Sequence, residues 1–155
     1  MRRLGLALAL LAPGCREAAT SIDAHGVHRT TVRVGKAVFD AEVAGTVAEQ
    51  AKGMMFRTNL PPGAAMLFWP YPAAVDGKAK PPQVANFWMK DTPSPLDIIF
   101  IRADGTIARI AENAVPFDET PLSSGEPVAA VLEIRGGRAA ELGVGEGDRV
   151  TWAER

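Results

Sequence analysis

Asp97-Ile98-Ile99-Phe100-Ile101, followed by Asp104-Gly105 and then Thr106 to Ala111, is the stretch on which the reading of the fold turns. Ile98 to Ile101 is apolar at successive positions, so both faces of a strand there would be buried, which predicts a central strand. Asp104-Gly105 supplies the residue pair that a tight hairpin turn prefers and joins that strand to the next one, Thr106 to Ala111. Upstream, Val84 to Met89 reads as another strand ending in Phe87, Trp88 and Met89. Pro93 and Pro95 stiffen the turn that leads from it to Asp97.

The same reasoning extends to both ends. Thr30 to Val34 and Ala37 to Val43 are β-rich runs separated by Gly35-Lys36, a pair suited to a hairpin. Thr46 and Glu49 have capping-box spacing, which predicts a short helix over Val47 to Met55, weakened by Gly53. Ala64 to Trp69 reads as a strand. Pro70 to Pro82 is a loop with four prolines, long enough to form a lid or specificity element. After a Pro-bearing loop come a strand over Val128 to Ile134, a short helix within Gly136 to Leu142 stopped by Gly143, and a last strand, Arg149 to Trp152. About seven short strands and two short helices predict a mainly β fold, a compact sandwich or partly closed barrel, with α+β as the alternative class.

Composition narrows the function. The chain has 155 residues, and its 17 Lys plus Arg against 18 Asp plus Glu leave it without the excess of positive charge that nucleic-acid binding needs. Two His and one Cys limit metal-site and nucleophile chemistry. Both histidines, His25 and His28, fall in or beside residues 16–28, a small and polar stretch that reads as a tether, and the globular domain is expected over 29–153. Serine–histidine and cysteine–histidine catalysis are then disfavoured.

Met1 to Cys15 sets Arg2 and Arg3 before an apolar stretch from Leu4 to Ala12 and closes with Pro13-Gly14-Cys15. The apolar stretch is about half the roughly 20 residues that a spanning helix requires, so the segment reads as a secretory signal. Leu11 to Cys15 resembles a lipoprotein processing site in which Cys15 becomes the lipidated first residue, and ordinary cleavage nearby is the rival reading. The expectation is an exported protein, periplasmic or anchored through an amino-terminal lipid, with no other contact with the membrane.

Gly53-Met54-Met55-Phe56-Arg57, Met66-Leu67-Phe68, Phe87-Trp88-Met89-Lys90-Asp91-Thr92, Pro95-Leu96-Asp97 and Val131-Leu132-Glu133 together resemble the pattern of the uncharacterised domain-of-unknown-function family number 192. The resemblance covers about residues 30 to 152, and its central motif is long and compositionally unusual. It implies an exported or anchored protein with a compact, mainly β fold, and it implies no substrate, catalytic residue or cofactor. This chain differs from the pattern in its Pro/Lys-rich loop, Tyr71 to Pro82, which is longer than usual, and at Ala130, where an aromatic residue is common.

The candidate site follows from the residues themselves. Trp69, Trp88, Met54, Met55, Met66 and Met89 are large, soft side chains suited either to core packing or to an aromatic wall for a ligand. Lys90, Asp91 and Asp97 are charged residues in an apolar stretch. Either they anchor a ligand, or the carboxylates bond local backbone N–H groups. Glu133 interrupts a strand that is otherwise apolar on both faces. Arg57 or Lys90 is its expected partner, because a buried carboxylate without one is expensive.

These features support a non-catalytic binding module for a small molecule or envelope protein, with Trp69, Trp88, Met89, Lys90, Asp91 and Asp97 lining a cleft, and with Arg57 and Glu133 as a buried ion pair. No catalytic residue, cofactor or metal is assigned. Two alternatives remain open: a hydrolase acting on envelope glycans through Asp91, Asp97 or Glu133, and a monovalent-copper protein using thioethers such as that of Met89.

Overall fold

A computed structural model describes residues 20–153, so the signal segment Met1 to Cys15 and the lipidation reading of Cys15 lie outside the described residues. The larger sheet is built from β1 (Thr20–Ile22), β2 (His28–Val34), β3 (Ala37–Ala44), β4 (Ala64–Phe68), β6 (Leu96–Ile101), β7 (Ile107–Ala114), β9 (Ala130–Arg135) and β10 (Val150–Thr151). Its order is β1-β2-β3-β4-β9-β6-β7, with β10 also on β2. The smaller sheet pairs β5 (Gln83–Phe87) with β8 (Leu122–Val128). Two short helices, α1 (Val47–Lys52) and α2 (Arg138–Leu142), complete a mainly β, sandwich-like fold.

The expected central strand is β6, every residue of which is buried, flanked by β9 and β7. Alternation sends Ile99 and Ile101 into one apolar core and Leu96, Ile98 and Phe100 into a second on the opposite face. β9 and β4 divide in the same way. Leu132, Ile134 and Leu67 join the first core, and Val131, Met66 and Phe68 the second. The first core is completed by Val32, Val34, Phe39 and Ala41 of the β2–β3 hairpin, and the second contains Ala85 of β5 and Val128 of β8. β10 curls the larger sheet back on itself. It pairs with β2, and the Thr106↔Arg149 bridge ties it to the β6–β7 turn without closing a barrel.

Three departures from the sequence reading have physical causes. Leu122 to Pro127, within the expected Pro-bearing loop, forms β8 together with Val128 because β5 offers a partner edge; its Ser, Gly and Pro residues hide that from local propensity. α1 ends at Lys52 rather than Met55, because Gly53 turns to φ +47°. Thr20–Ile22, in the stretch read as a tether, adds an exposed edge strand to β2.

Candidate functional site

The Thr46–Glu49 capping box forms as expected. Thr46 Oγ1 accepts the Glu49 N–H at 3.2 Å and Glu49 Oε2 accepts the Thr46 N–H at 2.9 Å. This fixes α1 above the second face of the larger sheet, and beside it opens a cleft of about 450 Å³. Gln50 of α1 secures the opposite wall. Its side-chain amide donates to the carbonyls of Ala44 (3.0 Å) and Pro70 (2.7 Å), while its Oε1 accepts the Ala73 N–H at 3.0 Å. The first part of the Pro-rich loop is therefore strapped to α1 as a wall of the cleft. Tyr71 is held further by its N–H bond to the Ala129 carbonyl (2.9 Å).

An aromatic group lines the interior. Phe68 meets Phe87 edge-on at 4.9 Å between ring centres, and Tyr71 lies 5.8 Å from Phe87. Both Met54 and Met55 line the cleft, and Met54 also fills the second core. Gly53 passes close over the floor. A Cβ there would lie 3.2 Å from Phe68 Cζ and 3.8 Å from Glu133 Oε2, so the absence of a side chain lets the chain pass so closely.

Glu133 forms part of the floor. Strand alternation places it on the second face of β9, between Met66 of β4 and Ile98 of β6 in register. It is 4% exposed, its Oε2 has no hydrogen-bond partner, and burial pushes its carboxyl up to about 8 against a weaker opposing pull from Arg57. At neutral pH the group is mostly a carboxylic acid. The expected Arg57–Glu133 ion pair is corrected by this geometry. The Arg57 guanidinium binds Glu42 with both arms, at 2.8 and 2.7 Å. The Glu42 carboxyl in turn is held below its ordinary value, chiefly by the Arg57 hydrogen bonds. Arg57 prefers Glu42 because two charge-assisted bonds form there at a partly exposed position, avoiding full desolvation.

The other predicted residues disperse. Trp88 lines the cleft at 49% exposure, with Lys90 Nζ 5.4 Å from its ring centre. Met89 is fully buried in the second core. Asp91 is exposed at φ +50°, and its carbonyl accepts the Phe56 N–H at 2.8 Å. Trp69 packs on the opposite core, 6.1 Å from Trp152. Asp97 is fully buried away from the cleft and accepts the N–H groups of Asn113 (2.7 Å), Gly137 (2.9 Å) and Ala139 (2.7 Å). Its role is to hold α2 against β6: it does bond backbone N–H groups, but those of distant segments rather than of the local turn that the sequence suggested. Of the expected cleft residues, the structure brings Trp88 into the same cleft as Glu133 and leaves Trp69, Met89, Lys90, Asp91 and Asp97 outside its lining.

Sequence reasoning missed Gln50, Phe68, Tyr71 and Phe87. Tyr71 stood in the Pro-rich loop and Phe87 in the central motif, but nothing local marked either as facing Glu133. Among the described residues, no group of three His, Cys, Asp or Glu side chains is placed to hold a metal ion.

Two crystal structures share the fold. A protein of unknown function from Novosphingobium aromaticivorans is 46% identical, with a TM-score of 0.75, over 87% of this chain and 94% of that one. A protein from Sinorhizobium meliloti 1021, described as a candidate transcription regulator, is 35% identical, with a TM-score of 0.70, over 90% and 98%. No curated protein is significantly similar in sequence. The family model of DUF192, Uncharacterized ACR, matches residues 30–152, and the chain belongs to that family of domains of unknown function.

Proposed function

We propose that this protein is a non-catalytic, envelope-localised module that binds a small ligand in the cleft between α1, the Pro-rich loop and the end of β5. One observation carries the reading. Glu133 Oε2 is buried without a hydrogen-bond partner at the floor of an open cleft, and leaving a buried polar group unsatisfied costs about 1 to 3 kcal/mol. A ligand that satisfies Glu133 removes that penalty. The cleft's size and its mixed lining, aromatic side chains together with polar groups such as Gln50, Asn86, Thr92 and Glu133, suit a small organic molecule.

Binding is favoured over glycan hydrolysis because the hydrolytic mechanism needs two carboxylates across one scissile bond. Asp97 lies on the other face of the sheet from Glu133, and Asp91 is not among the residues that line the cleft. The transcription-regulator description of the Sinorhizobium protein does not carry over, since a formal charge of −1 offers little for a phosphate backbone. Export through the Met1 to Cys15 segment, with or without lipidation of Cys15, would place the cleft outside the cytoplasm.

Native mass spectrometry of the protein purified gently from its own envelope fraction tests the reading. The expected result is an additional mass released on denaturation and diminished in Glu133→Gln. A bare protein in both forms would overturn it.

A further inference from the structure

The floor and rim of the cleft carry opposite chemistry, and we infer that its ligand is a small zwitterion: an ammonium group seated at Glu133, linked by a short apolar segment to an anionic group at Lys52 and Lys80. This deepens the binding reading and rests on it.

Three observations converge. Glu133 is a buried carboxyl with no partner, and a cationic donor satisfies it more strongly than a neutral one because the resulting bond is charge-assisted. Phe68, Tyr71, Phe87 and Trp88 line the same cleft, and aromatic walls attract organic cations. The Trp88 ring already takes one, the Lys90 ammonium, 5.4 Å from its centre. Finally, Lys52 and Lys80 line the cleft, are exposed, and enter no ion pair among the described residues. They would repel a purely cationic ligand. An anionic group at the other end of the molecule turns that repulsion into attraction.

The electrostatic surroundings of Glu133 agree with this assignment. Met66 of β4 and Ile98 of β6 are its apolar neighbours in register, Arg57 supplies the weak pull that opposes burial, and the Tyr71 phenol is held neutral by its own burial. Lys52 and Lys80 are the other charged groups of the cleft. With its carboxyl near 8, Glu133 must lose a proton to pair with the ammonium, a penalty of about tenfold in affinity at neutral pH. The affinity for a zwitterion should therefore rise as the pH is raised towards that value and level off beyond it.

Isothermal titration of the purified protein with 6-aminohexanoate, hexylamine and hexanoate separates the contributions. These probes share one chain length and differ in charge. The expected order is 6-aminohexanoate tightest, hexylamine weaker and hexanoate weakest, with 6-aminohexanoate gaining about 25-fold between about pH 6.5 and 8.5. Glu133→Gln should abolish the advantage of 6-aminohexanoate over hexanoate and flatten the pH dependence. The Lys52→Gln/Lys80→Gln double variant should bring 6-aminohexanoate down to hexylamine, and circular dichroism verifies that each variant is folded. Equal or tighter binding of hexanoate, an ammonium preference that survives in Glu133→Gln, or no binding of 6-aminohexanoate overturns the inference. The broader binding reading falls separately, on a bare protein in the native mass spectrum.

Discussion

Asp97 Oδ2 accepts the backbone N–H of Ala139 at 2.7 Å, joining the central strand to the first turn of α2 across 42 residues of chain. The partner oxygen takes the N–H groups of Asn113 and Gly137, so one fully buried carboxylate satisfies three backbone donors from two segments. Gly137, which precedes the first turn of helix α2, has no side chain to cap it, and Asp97 supplies the acceptor from β6.

Asp97→Ala is expected to destabilise the fold by about 3 to 5 kcal/mol, because it leaves three donors unpaired where water has no access. Asp97→Asn, which keeps one acceptor oxygen, should lose less. Urea midpoints measure both. The expected order is wild type, then Asn, then Ala, and ligand affinity of the folded fraction should stay unchanged, since Asp97 does not line the cleft. Equal midpoints for wild type and Ala would refute the structural role.

Glu133 makes stability fall as pH rises. Its folded carboxyl is near 8 against an ordinary value of 4.5, so between those values the folded state holds a proton that the unfolded state has released. Stabilisation is fully present below the unfolded value and is lost progressively up to about pH 8, by on the order of 4 kcal/mol. Glu133→Gln should remove most of this slope. Unfolding free energies at about pH 5, 6.5 and 8 test it; parallel profiles for the two proteins would contradict the burial argument.

Arg57→Ala should move Glu133 in a defined direction. Arg57 is the group that lowers the Glu133 carboxyl, so its removal should raise the titration midpoint further, readable in the carboxyl carbon resonance of Glu133. The same variant should let Glu42 return towards its ordinary range, because Arg57 is the leading cause of its depression. Glu42 has the opposite sign to Glu133: its stabilisation is present above the ordinary carboxylate value and is lost as pH falls through its lowered one. The pair is partly exposed, so its loss is expected to cost about 1 kcal/mol.

Two glycines test close approaches of the backbone, one beside α2 and one at the cleft. A Cβ at Gly136 would meet Pro95 backbone carbon and Cβ at 2.9 Å and Asn113 Oδ1 at 2.7 Å, so Gly136→Ala should cost about 2 to 4 kcal/mol through displaced backbone. Gly53→Ala meets Phe68 Cζ at 3.2 Å and must hold φ +47°, a milder loss of about 1 to 2 kcal/mol. Its distinguishing effect is on the cleft, where the added methyl stands 3.8 Å from Glu133 Oε2 and should weaken ligand binding beyond any change in stability. Thermal unfolding and titration on the same samples separate the two effects.

The elements set by local chemistry were legible in the sequence. The Thr46–Glu49 cap, the Asp104-Gly105 turn and the β2–β3 hairpin each need only neighbouring residues to specify them, and the double-sided apolar run Ile98 to Ile101 announced the central strand. Glu133 was legible too, as the carboxylate in an otherwise apolar strand. β8 was hidden because its Ser-Ser-Gly-Glu-Pro run becomes a strand only against β5.

By itself the sequence determined the mainly β class, most of the strands, and which charged residues are expensive to bury. Only the tertiary structure decided what each of them touches. Asp97 and Glu133 lie on neighbouring strands and are both buried, yet alternation sends one carboxylate to the α2 backbone and the other to the cleft floor. The choice depends on register between distant segments and on Arg57 reaching Glu42 first. Both are set by packing and desolvation across the whole sheet and leave no trace in local sequence.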